Sequence, residues 1–163
     1  DFFDLNLSNS VFQEVDFTGS FLEKTSGRDN NFHDCSFVNA TLEVNFWKAS
    51  IMRSSFSNAD IKGLQVFGGG SFGNNVVGCD FRNAEMGLIQ IENTNFQDSD
   101  FRGVDLTSSI FKKGKFRGVD FTGAKRTSTT FSSGRWGVVE MSDSDLVDQK
   151  LLTQEQIDSM RKI

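Results

Sequence analysis

The chain has 163 residues, a formal net charge of −5 and a sequence pI near 4.9; it is of one-domain size and carries no general attraction for nucleic acid or anionic lipid. With 18 Phe, 15 Gly, no Tyr and no Pro, it needs an interior that takes many rings, since that many exposed ones would aggregate. There is no run of about 18 apolar residues to cross a bilayer, and the two Cys make no disulfide framework.

The chain opens on Asp1-Phe2-Phe3-Asp4-Leu5 without Met, which reads as a processed or excised piece of a longer protein. From there large apolar residues recur at every fifth position: Phe2, Leu7, Phe12, Phe17, Leu22, Phe32, Phe37 and Leu42, with Gly27 in the same frame. A four-residue step from Leu42 to Phe46 then shifts the frame once. The series resumes as Phe46, Ile51, Phe56, Ile61, Val66, Ser71, Val76, Phe81, Met86, Ile91 and Phe96. It continues through Phe101, Leu106, Phe111, Phe116, Phe121, Arg126, Phe131, Trp136, Met141, Leu146 and Leu151. Two positions before the large residue sits a smaller one, as at Cys35, Ala40, Ala59, Cys79, Ala84 and Val104. Asp or Asn stands between them at Asp16, Asn45, Asp80, Asp100 and Asp120.

A stripe of period five suits neither a helix nor a flat strand, so the chain must turn once per unit. Four units close a square coil of about 20 residues, whose copies stack as parallel strands about 4.8 Å apart. That spacing predicts inward columns Phe56–Val76–Phe96–Phe116–Trp136 and Ile61–Phe81–Phe101–Phe121–Met141. The exceptions are Gly27, Ser71 and Arg126. An unpaired guanidinium is not tolerated in an apolar tube, so Arg126 is expected to bulge outward, and the Gly-rich run 66–75 leaves its local register open to an insertion. Thr153 and Gln156 fit a capping box, which predicts a short helix over about 154–162. The division is therefore 1–152 coil and 153–163 cap.

This unit, small–Asp/Asn–large apolar–polar–polar, resembles the pentapeptide-repeat family, over roughly residues 2–151. The resemblance implies an all-β solenoid, a right-handed quadrilateral parallel β-helix, here of about 7–8 coils. Proteins of this kind are common in bacteria and cyanobacteria and include exported and thylakoid-lumen members. A soluble protein, cytoplasmic or exported, is the expectation.

Chemistry-bearing constellations are sparse. His33 and Cys35 share "FHDC", but one His and two distant Cys cannot close a zinc site, and Gly68–Gly70 lacks the context of a phosphate loop. No nucleophile–base or acid–base pair is visible, so neither catalysis nor a cofactor is expected. Two surfaces stand out instead. Trp47, Met52, Phe67, Phe72 and Leu88 are read as outward apolar residues that could meet around one corner, a surface for another protein or for a second copy. Asp60, Asp80, Asp100, Asp120 and Glu140 fall 20 apart and predict an acidic ladder beside Lys62, Arg82 and Arg102. The family resemblance offers an alternative for that ladder, because its quinolone-resistance members bind topoisomerases in place of DNA.

Overall fold

A computed structural model describes residues 1–61, 65–67 and 74–132, with the side chains of 45–47, 65–67 and 132 left aside. The described chain is all strand, a solenoid of about six parallel turns. Its strands are β1 (Phe2–Phe3), β2 (Val11–Gln13), β3 (Phe21–Arg28), β4 (Asn31–His33), β5 (Thr41–Trp47), β6 (Ser50–Met52), β7 (Gln65–Phe67), β8 (Asn75–Val77), β9 (Gln90–Glu92), β10 (Ile110–Lys112) and β11 (Thr130–Ser132). One side of the coil carries the sheet β2-β4-β6-β8 and another β11-β10-β9-β7, while β1-β3-β5 forms the third sheet. The remaining sides are joined by single bridges, such as Asp80↔Asp100↔Asp120 and Glu85↔Asp105↔Lys125.

The tight turns share one local cause. Phe101, Arg102, Gly103 and Val104 make a tight turn in which Val104 N–H donates to Phe101 O at 3.3 Å, and Gly103 takes the left-handed conformation, φ 69°, that such a turn requires at its third position. Asn39, Asn58 and Asn83 do the same at φ 57°, 58° and 58°. The repeated Asp or Asn serves the turn as well. Its Oδ1 accepts the N–H two residues on, as from Thr18 to Asp16 (2.8 Å), Arg82 to Asp80 (2.9 Å) and Thr122 to Asp120 (2.8 Å). An acceptor on a short side chain can close that ring while the backbone stays extended.

The large residues point inward and stack. Phe17, Phe37, Phe56, Phe81, Phe101 and Phe121 form one column, with successive centroids 4.8, 4.8, 4.9, 4.7 and 5.3 Å apart. Phe12 stacks on Phe32 in the neighbouring column at 4.8 Å. The small slot is also inward, and hydroxyls there close backbone groups that the tight turns do not. Ser54 Oγ accepts Cys35 N–H and Ser99 Oγ accepts Cys79 N–H, both at 3.1 Å. The single-frame slip shows as a bulge, Leu22 pairing Leu42 but Thr25 pairing Val44.

The predicted columns hold downstream, with Phe81, Phe101 and Phe121 in line, but fail at the Gly-rich run. Ile51 pairs Val76 and Val66 pairs Ile91, a step of 25 residues where Phe111 pairs Ile91 at 20. Phe56 therefore stacks on Phe81 rather than on Val76, and Ile61 lies above Met86, whose N–H bonds run in the Asp60↔Glu85↔Asp105 line. One extra five-residue unit is accommodated between Val66 and Val76. Arg126 also departs from expectation. Lys125 bridges Asp105, and Thr129 N–H donates to Arg126 O at 3.1 Å, so Arg126 keeps the regular unit and stands below Leu106 instead of bulging. The turn is built by backbone bonds that any side chain permits, and its half-buried stem packs while Nε finds no partner among the described residues. Trp136, Met141 and the expected helix over about 154–162 lie outside the described residues.

Candidate protein-binding surface

The extra unit is localised by its neighbours. Between β9 and the Asn95 bridge the chain takes five residues from Gln90 to Asn95; from Gln65 to Asn75, which pair those two residues, it takes ten. One corner of the tube thus receives five additional residues. That corner is lined by Asp29 and Lys48 on the preceding coils and by Asn93 and Lys113 on the following ones, each in the left-handed conformation. Lys113 Nζ donates to Glu92 at 2.9 Å just beyond it. Trp47 ends β5 beside the corner, in backbone register with Arg28. Phe67 ends β7, in register with Glu92.

Of the five apolar residues proposed from sequence, only Met52 and Leu88 have described side chains. Met52 is half-buried and pairs with Val77, not with Phe72, because the extra unit moves the register by five. Leu88 is 69% exposed, but it sits in the turn before β9, at the other end of that strand from the insertion corner. Phe72 lies outside the described residues. What the structure does bring together is β5 and β7, which are in contact along the coil.

The acidic ladder is likewise rearranged. Asp80 follows Ser55 in its column, and Asp60 belongs to the next side, with Glu85 and Asp105; Lys62 and Glu140 lie outside the described residues. The line that remains, Asp80–Asp100–Asp120, is interleaved with arginine. Arg82 donates to both oxygens of Asp80 at 2.9 and 2.7 Å and reaches Asp100 at 3.7 Å. Arg102 repeats this on Asp100 at 2.9 and 2.6 Å and reaches Asp120 at 3.8 Å. The result is a zipper of three carboxylates and two guanidiniums, not a bare anionic stripe. A third planar fork pairs Arg53 with Asp34 at 2.8 and 2.7 Å.

Hydrogen bonds from Arg82 and Arg102 hold Asp80 and Asp100, respectively, below the ordinary carboxylate range, against a smaller opposing effect of burial. A carboxylate whose folded pKa is depressed contributes stability above its unfolded pKa and loses it as pH falls through the folded one. The melting temperature is accordingly expected to fall as pH drops below about 4. In Arg82→Gln/Arg102→Gln that part of the fall should be shallower; parallel curves for the two proteins would show that the zipper contributes nothing.

The remaining sequence candidates take regular places in the coil. Cys35 and Cys79 share an inward column with Ser54 between them, and both are buried free thiols. Burial pushes the Cys79 thiol up to about 12, which removes the thiolate needed for reaction. His33 is half-buried, pairing Gln13 and Met52 along its strand neighbours. Among the described residues no group of His, Cys, Asp or Glu is gathered to hold a metal.

Eight copies of the pentapeptide-repeat model match residues 6–43 and 89–123, on either side of the insertion. No curated protein matches the sequence. Among solved structures, a trypsin-treated form of QnrB1, a plasmid-mediated fluoroquinolone resistance protein, is 22% identical with a TM-score of 0.63; the match covers 80% of this chain and 65% of that one. A pentapeptide-repeat protein from the Arabidopsis thaliana thylakoid lumen is 18% identical with a TM-score of 0.42, covering 85% of this chain and 73% of its own. The first likeness is one of fold, and the chain spans about two thirds of that protein's length. From the repeated unit, the stacked inward columns and the model matches on both sides of the insertion, the chain belongs to the pentapeptide-repeat family of right-handed β-helices.

Proposed function

We propose that this β-helical scaffold is a non-enzymatic protein-binding domain whose contact region is the insertion corner between Trp47 and Phe72. The observation that carries the reading is the ten-residue path from Gln65 to Asn75 where the other coils take five. A rigid tube that departs from its own period at one corner presents a loop on a fixed frame, the usual arrangement for recognition. Among the described residues the interior is closely packed, with Phe37, Phe101 and Phe116 fully buried, which favours recognition on the outer surface.

A variant lacking residues 68–72 restores the regular spacing. It is expected to melt within about 2–4 °C of the parent, the shift that roughly 1 kcal/mol produces in a chain of this size, and to lose the protein partner that the parent captures from host lysate. Retention of the same partner by the folded deletion variant would remove the corner from consideration.

The alternative is a DNA-mimicking, gyrase-binding role for the Asp80–Asp100–Asp120 side, as in the quinolone-resistance members of the family. A duplex mimic needs uncompensated negative charge at phosphate-like intervals, whereas Arg82 and Arg102 neutralise most of this line. That favours the corner. Gyrase supercoiling measured at rising protein concentration separates the two: inhibition or protection at micromolar protein that survives removal of 68–72 supports the acidic side.

A further inference from the structure

We propose that the partner met at the insertion corner is an acidic protein segment, held by a cationic edge of Lys112, Lys113, Lys115 and Arg117. The inference rests on the reading of that corner as the contact region. Lys112 ends β10 on one side of the corner, and Lys113 turns it in the left-handed conformation, φ 53°. Lys115 and Arg117 lie on the adjoining side, below Asn95 and Gln97. Lys112, Lys115 and Arg117 are exposed and Lys113 is half-buried, while Gly114 and Phe116 between them are buried. The four cations therefore wrap the outside of the tube. Lys48 stands at the same corner on the far side of the inserted residues. In the inward slot behind it are the buried Asn30 and Asn74, and Asn74 Oδ1 accepts Ala49 N–H at 2.7 Å, so the corner is carried on a tied backbone.

Elsewhere the outer surface matches its cations with carboxylates. Arg53 meets Asp34 at 2.7 Å, Arg82 and Arg102 meet Asp80 and Asp100 at 2.7 and 2.6 Å, and Lys125 meets Asp105 at 3.4 Å. On this edge the match fails. Glu92, in register above Lys112, is taken by Lys113 at 2.9 Å. Asp98 is held by Gln97 Nε2 at 3.1 Å, and the residues above Lys115 and Arg117 are neutral amides. Among the described residues neither Lys112 nor Arg117 forms a salt bridge. In a chain of net charge −5 this is a local reversal of sign, and like charges crowded on one coil repel. An anionic partner turns that repulsion into attraction. The size of the edge selects the partner. It is one coil high, and the Asp80–Asp100–Asp120 line follows on the next side. A duplex, with a phosphate about every 1.7 Å of its axis, would run from the cations onto these carboxylates. An extended peptide need not. Lys115 and Arg117 are two residues apart, roughly 7 Å on an extended backbone, which is the spacing of alternate Asp or Glu side chains on one face of a strand.

The test is fluorescence anisotropy of labelled poly-L-glutamate with the parent chain, with Lys112→Gln/Arg117→Gln, and with Arg82→Gln/Arg102→Gln, which makes the same change in net charge on another side. The parent is expected to bind, less tightly as salt is added. Lys112→Gln/Arg117→Gln should bind about threefold to tenfold more weakly, the loss that two exposed ion pairs produce, and the charge-matched variant should stay near the parent. Both positions are exposed, so the variant is expected to fold. Equal loss in the two variants, or no binding by the parent, overturns the proposal, and so does tighter binding of duplex DNA than of poly-L-glutamate. Capture from host lysate separates this proposal from the reading beneath it. A partner lost on removal of 68–72 but kept by Lys112→Gln/Arg117→Gln leaves the corner standing and overturns the acidic partner. A partner kept without 68–72 but lost from Lys112→Gln/Arg117→Gln removes the loop and supports the cationic edge.

Discussion

Phe101→Asp is expected to leave no folded protein at 25 °C, in circular dichroism as in size-exclusion chromatography. Phe101 is 0% exposed, with its ring 4.7 Å from Phe81 above and 5.3 Å from Phe121 below, and edge-on to Phe96 at 5.4 Å. Truncating such a ring costs about 3–5 kcal/mol by itself. The substitution further places a carboxylate with no cation or donor in the middle of the aromatic column, where the charged form is strongly disfavoured. Against a total stability of about 5–15 kcal/mol, the two effects together exceed what a domain can absorb. Phe101→Leu, which keeps the apolar contact but breaks the stack, should stay folded with a lowered melting temperature.

The neighbouring residue gives the contrast. By spacing alone Arg102 is an outward polar position, and Arg102→Asp reads as nearly silent. The structure alters that expectation, since a carboxylate at 102 would face Asp100 and Asp120, both of which Arg102 now contacts. A measurable fall in melting temperature that shrinks with added salt is therefore expected, in a protein that remains folded because the site is half solvated. Equal tolerance of Asp at 101 and 102 would sink the assignment of inside and outside.

That assignment was legible in the sequence because it follows from packing alone. One residue in five must meet the axis, and the chain spends Phe, Leu and Ile there; the four-residue step at Leu42–Phe46 was equally visible, because it shifts every later inward residue. The register across the Gly-rich run was not. A whole extra unit leaves the period intact, so Ser71 and its glycines look like weak members of the column when the coil in fact passes from Ile51 to Val76. The Met52–Phe72 pairing and the place of Asp60 in the acidic ladder both depend on the register across this point, and both move for that one reason. Asn30 and Asn74 are conspicuous in principle, since no other described residue in that slot carries an amide or a charge. Periodicity ranks residues by size, however, and an Asn there passes as merely small. Arg126 shows the converse: the cost of one side chain does not decide a backbone path that hydrogen bonds such as Thr129 N–H to Arg126 O determine.

Gly114→Val is the second change expected to have a large effect, and its reason lies in a ring rather than in glycine's conformational freedom. Gly114 is buried in the inward slot that Thr94 fills one coil earlier, and its backbone is not left-handed. A Cβ at that position would come within 2.7 Å of Phe116 Cζ and closer still to Cε2. Phe116 cannot swing aside, being stacked on Phe96 at 5.5 Å and held edge-on by Phe111 at 5.5 Å and Phe131 at 5.4 Å. Overpacking of this sort costs about 1–3 kcal/mol, and a branched side chain against a fixed ring belongs at or above the top of that range. The melting temperature should fall by about 6–12 °C on that basis, with Gly114→Ala lying between Gly114→Val and the parent. Gly19 supplies the control. It is left-handed at φ 66° but has nothing within 4 Å of a built Cβ, so Gly19→Ala bears only the conformational strain, about 1–2 kcal/mol. The two glycines separate further when Phe116→Leu is added: the smaller side chain should recover part of the Gly114→Ala loss and none of the Gly19→Ala loss, because only the first pair is in contact. Additive losses at both positions would mean that the Phe116 ring is free to move, and that the aromatic columns fill the tube without fixing its corners.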